Sequence, residues 1–305
     1  MDARNPLLPA RSARFERMDL VLYAATVFLW GTSWIALRAQ LGVVAPEVSA
    51  LWRFVLAAAI MWAWVLARGE RLAYPASDHL RFAATGACLF SLNFTFFYYG
   101  GLTIPSGLLA VVFSLASIFN LVLGAVVLRQ RIEPRVALGG IVGALGIALL
   151  FWPEIARAGG SLGGLLLCVV GTLFFCTGNM ISTLVQRRGI SLLPAVAWAM
   201  TYGTGVLLAL SLVRGQAFII EPTAVYLGSI LYLAVGASVA AFFCYLTLLR
   251  RLGAARAGYS TVLFPIVALA ISTAFEGYQW TALAALGVVF ALAGNVLVLA
   301  RPARP

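Results

Sequence analysis

Long apolar runs alternate along this chain with short polar turns, and the alternation repeats ten times. The runs fall near residues 19–38, 46–67, 80–101, 105–128, 134–152, 161–185, 192–213, 223–249, 256–275 and 279–300. About 20 apolar residues, rising 1.5 Å each as a helix, cross the hydrocarbon core of a bilayer, so each run predicts one transmembrane helix. The stretch from Phe82 to Leu128 holds no charge and is too long for a single crossing. Gly100-Gly101 and Pro105 divide it. Pro46, Pro105, Pro134 and Pro194 each stand near a predicted helix start, where proline's missing donor costs nothing.

Composition strengthens the membrane reading. Of 305 residues, 63% are hydrophobic and 10% charged, against about 25% charged in a soluble domain. Lipid must therefore act as solvent for most of the chain. The formal net charge is +11, and all of the positive charge is arginine, with no lysine. In a soluble protein it would suggest nucleic acid, but these charges sit in short loops between apolar spans, and no nucleic-acid partner is expected.

The placement of those arginines sets the topology. Taking the N-terminus as cytoplasmic, one side receives Arg4, Arg11, Arg14, Arg17, Arg68, Arg71, Arg81, Arg129, Arg131, Arg135, Arg187, Arg188, Arg250, Arg251, Arg256, Arg301 and Arg304. The other receives Arg38, Arg157 and Arg214. Positive loops stay inside, which predicts both ends in the cytoplasm. Trp52, Trp152, Tyr226, Tyr278 and Trp280 fall near outer ends, as an aromatic belt would. No cleavable leader is evident ahead of the first run.

Five spans per half is an odd number, so the second half enters from the opposite side. Gly140-Ile141-Val142-Gly143-Ala144-Leu145 resembles Gly287-Val288-Val289-Phe290-Ala291-Leu292, and Phe28-Leu29-Trp30-Gly31 has a counterpart in Leu173-Phe174-Phe175-Cys176. The expectation is an all-α integral membrane protein of ten transmembrane helices in two inverted five-helix repeats. Its parts are a tail at 1–18, repeats at 19–152 and 153–300, and a tail at 301–305. Inverted repeats of this kind form carriers in which one bundle rocks against the other around a midplane site. Spaced small residues, Gly139, Gly143 and Gly146 against Gly287, Ala291 and Gly294, read as close packing of spans five and ten.

With the repeat, Leu29-Trp30-Gly31-Thr32-Ser33-Trp34 in span one and Leu252-Gly253-Ala254-Ala255-Arg256-Ala257 ahead of Pro265 and Glu276 carry a family resemblance. The chain resembles the EamA-like branch of the drug/metabolite transporter superfamily, and within it the bacterial aromatic amino-acid exporters. Leu115 to Ser117 stand where the family's mid-span proline falls in the first half, and Gln130 or Arg131 where an acidic loop residue is usual. The resemblance implies a multi-pass inner-membrane carrier of small amphipathic metabolites, above all amino acids. It further implies a central cavity lined by spans one to four and six to nine, with five and ten outside.

Several residues are candidates for transport chemistry. Arg53 is the sole formal charge well inside a span, about 10 Å below the outer end at 1.5 Å per residue. It can pair with a substrate carboxylate, whose geometry suits a guanidinium, or it can snorkel to headgroups or bond carbonyls. Trp30, Ser33 and Trp34 share one face of span one, and Asn93, Phe97 and Gly100 one face of span three, with Tyr98 and Tyr99 beside it. Ser114, Ser117 and Asn120 stripe span four; Thr172, Cys176 and Asn179 stripe span six. These stripes are either interhelical hydrogen-bond partners or cavity lining. The substrate-binding candidates are thus Arg53, Trp30, Trp34, Asn93, Tyr98, Tyr99, Ser117 and Asn179. His79, the single histidine, is a gating or pH-sensing candidate at the cytoplasmic mouth, or an idle interfacial residue. Pro265 is a hinge candidate, since a mid-span proline removes one backbone hydrogen bond.

Absences narrow the function. No carboxylate lies deep in a span, as Asp19, Glu47 and Glu276 are near ends, which favours facilitated transport over carboxylate-coupled antiport. One deep arginine is too little for a phosphorylated sugar. Cys88, Cys168, Cys176 and Cys244 lack CxxC spacing and read as packing residues. HExxH, a Walker loop and a metal-ligand cluster are missing, so neither enzyme nor cofactor is expected. The rival reading within transport is a broad drug or nonpolar-metabolite exporter, proton-coupled or not. A monomer is favoured, with the oligomeric state left open.

Overall fold

The structure is a computed structural model that describes residues 17–128, 134–158, 161–252 and 260–299. The expected tails lie outside these residues, apart from Arg17 and Met18, as do Gln130, Arg131 and positions 253–257 of the second-half motif. The described chain is all helix apart from short turns and loops. The elements are α1 (Arg17–Arg38), α2 (Pro46–Ala67), α3 (Ala76–Ala87), π1 (Cys88–Leu92), α4 (Asn93–Gly101), α5 (Ser106–Phe113), α6 (Ala116–Leu128) and α7 (Pro134–Ala158). They continue with α8 (Ser161–Arg187), α9 (Leu192–Val213), α10 (Ala224–Leu231), π2 (Tyr232–Ala240), α11 (Ala241–Leu252), α12 (Ser260–Phe275) and α13 (Ala282–Leu299). Among the described residues, seven helical runs are long and apolar enough to cross a membrane, and three apolar helices are shorter.

Two departures from the expected regularity matter. The third and eighth apolar runs each change to π-helical winding in mid-course, as α3–π1–α4 and α10–π2–α11. Apolar periodicity does not announce such a change, because one widened turn shifts the pattern by a single residue. The fourth run breaks between α5 and α6 although no proline stands at that point. There the Ser114 hydroxyl donates to the Val111 carbonyl at 2.6 Å and the Ser117 hydroxyl to the Ser114 carbonyl at 3.0 Å. The Cys176 thiol reaches the Ala116 carbonyl at 3.4 Å. At the break the backbone bonds shift to i→i+3, Ser114 N–H to the Val111 carbonyl and Ser117 N–H to that of Ser114, and the side chains add to them. In contrast, α7 runs on through Pro153 beyond the expected end.

The two halves interleave. α2 and α3 pack on α9, α4 on α8, and α1 on α11 and α12, so most of the extensive contacts join the first half to the second. Glycines permit the closest approaches. A Cβ on Gly86 would lie 2.1 Å from the Ala199 carbonyl oxygen, and one on Gly203 2.8 Å from that of Gly86. α7 and α13 run along each other, and here the two small-residue stripes meet. A Cβ on Gly146 would lie 2.3 Å from the Ala291 nitrogen, and one on Gly294 2.4 Å from the Gly143 nitrogen. The outward faces of this pair carry exposed Leu138, Ile141, Leu145, Leu286 and Val289, a surface suited to lipid.

The backbone contact makes a stability prediction. Gly294→Leu must push α7 and α13 apart, since no side-chain rotation relieves a clash with backbone. A cost of about 1–3 kcal/mol or more is expected, measured as lower thermal stability in detergent. The ratio of transport rates between two substrates should stay unchanged, because neither helix reaches the cavity described next.

Candidate functional site

A cavity of about 480 Å³ lies between the halves. Its walls come from α1, α2, α3–π1–α4, α5, α6, α8, α9, π2, α11 and α12, with no residue from α7 or α13. At one end of the bundle the lining includes exposed Thr183 and Gln186 near the end of α8, and Leu192 where α9 begins. The cavity thus reaches the end that carries Arg187 and Arg188. Deeper in, the wall is largely aromatic. Trp34, buried, packs on Phe97 at 5.2 Å and Phe113 at 5.5 Å between ring centroids, and Phe113 on Phe175 at 4.6 Å. Trp30 lies 5.1 Å from Tyr245 and donates its indole N–H to the Ala237 carbonyl at 3.2 Å.

Arg53 is 4% exposed and lines this cavity. Its Nε and Nη2 donate to the Ser238 hydroxyl oxygen at 3.2 and 3.1 Å. Its guanidinium lies over the Phe94 ring at 4.3 Å and that of Phe54 at 5.1 Å. Such contacts are worth about 0.5–2 kcal/mol each, far below the cost of desolvating a cation. Among the described residues no carboxylate pairs with Arg53. A cation held by a hydroxyl and two ring faces retains the capacity to take an anion.

Both π segments serve this centre. π2 supplies Ser238 to Arg53 and the Ala237 carbonyl to Trp30. π1 ends at Asn93, whose Nδ2 donates to the Leu89 carbonyl at 3.3 Å. Asn93 Oδ1 and Thr85 Oγ1 are buried, lack a hydrogen-bond partner and belong to cavity-lining residues. Each orphan costs about 1–3 kcal/mol.

The cavity stops short of the opposite end, where ion pairs join the halves. Arg38 Nε lies 2.8 Å from Glu276 Oε1, and Glu276 Oε2 accepts from the Ser106 N–H at 3.0 Å and the Ser106 hydroxyl at 2.5 Å. Arg38 also donates to the Ile104 carbonyl at 2.6 Å. Arg214 Nε lies 3.3 Å from Glu47 Oε1, Tyr99 donates to Glu47 Oε2 at 2.7 Å, and the guanidinium covers the Tyr99 ring at 5.1 Å. Both arginine contacts are ion pairs by distance, yet neither carboxylate oxygen receives an aligned N–H. The local sequence explains the placement. Arg214 and Glu276 are the last residues before Gly215 and Gly277, whose positive φ of 63° and 65° turn the chain off a helix end.

The sequence candidates sort accordingly. Trp30, Trp34, Arg53, Asn93, Ser117 and Asn179 line the cavity. Tyr98 and Tyr99 do not. Tyr98 is fully buried beside the Arg53 guanidinium and donates to Gln40 Oε1, so it braces the arginine from behind. Tyr99 belongs to the closed end. Adjacent positions on a helix differ by 100°, enough to turn this pair away from the Asn93 face. Ser117 bonds Asn295 on α13. His79 packs 4.6 Å from Trp198, with Nδ1 3.0 Å from the Tyr202 hydroxyl, off the cavity at its open end. Pro265 is buried within α12, next to cavity-lining Phe264. Sequence reasoning missed Ser238, Phe94, Phe113 and Phe264.

An all-helical membrane bundle, with a cavity between interleaved halves, one end closed by ion pairs and a cation in the wall, has the build of a membrane transporter. The chain belongs to the EamA-like transporter family, whose sequence profile matches residues 18–152 and again 162–300. An uncharacterized transporter of Archaeoglobus fulgidus is 31% identical over 137 residues, covering 45% of this chain and 49% of that one, so the chain spans about half the length of this relative. The uncharacterized inner membrane transporter YedA of Escherichia coli K12 is 24% identical, with 91% of this chain and 92% of that one aligned. A probable amino-acid metabolite efflux pump of Salmonella typhimurium is 24% identical over 92% of this chain and 94% of its own length.

If the ion pairs hold the end shut, Glu276→Gln should loosen it. Val44, 2% exposed among the loops there, offers a reporter. In detergent-solubilised protein whose native cysteines are replaced, a cysteine at position 44 should react several-fold faster with a maleimide once Glu276 is glutamine. An unchanged rate would mean that packing alone closes this end.

Proposed function

We propose that the chain exports small amphipathic metabolites, amino acids including aromatic ones above all, across the bacterial inner membrane. It works by alternating access and, on this reading, as a uniporter. The observation that carries the proposal is Arg53: a buried cation in the wall of an aromatic cavity, without an acidic partner among the described residues. A substrate carboxylate completes its bonding, and the rings around Trp34 and Phe113 accept an apolar or aromatic side chain. The names of two relatives, an inner membrane transporter and an amino-acid metabolite efflux pump, support the localisation and substrate class.

In this cycle the present conformation faces the cytoplasm. The open end carries the arginine-rich loops, and the end closed by Arg38–Glu276 and Arg214–Glu47 faces outward. Closing the open end requires α12 and the fourth span to bend, and Pro265 and the break at Ser114 give each half one weak point. Among the described residues no carboxylate lines the cavity, which supports transport down the substrate gradient.

The aromatic lining also suits a second reading, a drug or nonpolar-metabolite exporter. Purified protein in liposomes separates the two. Phenylalanine counterflow is expected without a pH gradient, and Arg53→Ala should reduce it at least tenfold, the loss of a charged hydrogen bond, while thermal stability holds. Flux of a hydrophobic cation that survives Arg53→Ala, with no phenylalanine flux in the parent, would favour the second reading. Orientation has its own test. In intact cells a cysteine at position 188 should resist an impermeant maleimide, whereas one at position 218 should react.

A further inference from the structure

The zwitterion that Arg53 would hold by its carboxylate has a second charge, and no acid among the described residues lines the cavity to meet it. We infer that Asn93 Oδ1 is the acceptor for the substrate's ammonium group. The inference rests on the amino-acid reading above and goes beyond it, because it assigns the other half of the ligand.

The geometry points to this atom for three reasons. First, the orientation of the amide is settled by its neighbour. The Leu89 carbonyl can only accept, so the amide nitrogen must face it at 3.3 Å and the oxygen must face away. Second, Asn93 is 2% exposed, and Oδ1 has no hydrogen-bond partner in the protein. A buried acceptor left empty is unfavourable, and a ligand N–H removes that deficit. Third, the distance along the chain is short. Phe94, the next residue, is the ring on which Arg53 rests at 4.3 Å, and both Arg53 and Asn93 line one cavity. An α-amino acid, whose carboxylate and ammonium share one carbon, fits neighbouring subsites of opposite demand.

The same facts weigh against the simpler role for Asn93 as a second donor to the carboxylate. One of its two N–H groups is engaged with the Leu89 carbonyl, and the atom wholly without a partner is the oxygen, which repels a carboxylate. The polarity of the site is therefore directional, donor at α2 and acceptor at α4. The neighbouring orphan, Thr85 Oγ1, lies eight residues earlier on the same wall towards the open end. A hydroxyl can donate or accept, so it does not discriminate between the two charges.

The test uses three probes that share a phenyl ring: phenylalanine, 3-phenylpropionate, which lacks the ammonium, and phenethylamine, which lacks the carboxylate. Apparent affinities are read from competition against phenylalanine counterflow in liposomes, and independently from the rise in unfolding temperature that each probe causes in detergent. Asn93→Leu should weaken phenylalanine and phenethylamine about tenfold, as for loss of one charge-assisted hydrogen bond. It should leave 3-phenylpropionate within about twofold. Equal loss of all three probes, selective loss of the acid, or no change would overturn the assignment. Should the leucine variant fail to fold with the Leu89 carbonyl unpaired, Asn93→Asp provides the second arm. An anionic acceptor at this position should raise the preference for phenethylamine over 3-phenylpropionate about tenfold, and an unchanged ratio overturns the assignment. A parent protein that binds none of the probes defeats the amino-acid reading itself. A parent that carries phenylalanine, with a probe preference indifferent to position 93, defeats only the role of Asn93.

Discussion

A guanidinium inside hydrocarbon must find its partners within the protein, and the arrangement around Arg53 follows from that constraint. No single helix can satisfy a fork with five N–H donors. The partners of Arg53 come from π2 in the second half, through Ser238, and from α4 in the first, through Phe94 and Tyr98. Tyr98 is in turn held by Gln40, at the turn after α1. The charge therefore ties four segments together, and α2 cannot shift without disturbing both halves. A residue that is costly in lipid becomes the junction on which the cavity is built.

The irregular backbone of the site has a related origin. A continuous α-helix in lipid uses its own carbonyls, leaving none for side chains or cargo. π1 and π2 relax that rule at the level of the arginine, and side chains take up the result: Asn93 on Leu89, Trp30 on Ala237. The break in the fourth run relaxes it a third time, with Ser114 and Ser117 replacing what proline would do. All three irregularities border the cavity, while α7 and α13, which have no part in it, stay regular and join through glycine.

This contrast explains how much was legible in the sequence. Apolar length and arginine placement report on the lipid environment residue by residue, so helix positions, the small-residue stripes of α7 and α13 and the exceptional status of Arg53 could be read directly. Cavity-facing positions along a straight helix were also legible, as for Trp30, Trp34 and Asn179. Tyr98 and Tyr99 do not line the cavity, because five and six residues past Asn93 on the same helix α4 they point away from its face. Ser238 and Phe94 were missed for another reason. A serine or phenylalanine in a membrane span is ordinary, and only the position of the guanidinium in space makes it a partner. The closed end shows a third limit: Glu47 and Glu276 read as interfacial acids near span ends, yet their side chains are 0% and 10% exposed and each holds an arginine from the opposite half.

The distribution of those acids bears on energy coupling. A carrier that exchanges protons for cargo needs a titratable group that the cargo and the proton occupy in turn. Glu47 and Glu276 lie in the closed end opposite arginines and buried Asp78 pairs with Arg81 and Arg188, while the described lining of the cavity has a cation, hydroxyls, amides and rings. A zwitterion bound between Arg53 and a neutral acceptor adds no net charge to that cavity. Moving the loaded site therefore carries only the charge of the protein itself, loaded or empty alike. On this reading neither the proton gradient nor the cargo's own charge drives the cycle, and direction is left to concentration. A neutral acceptor also releases an ammonium group more readily than a carboxylate does, since it lacks the attraction between opposite charges. Weak capture of one charge and firm capture of the other suits a carrier that must recognise its cargo in a crowded cytoplasm and then surrender it outside.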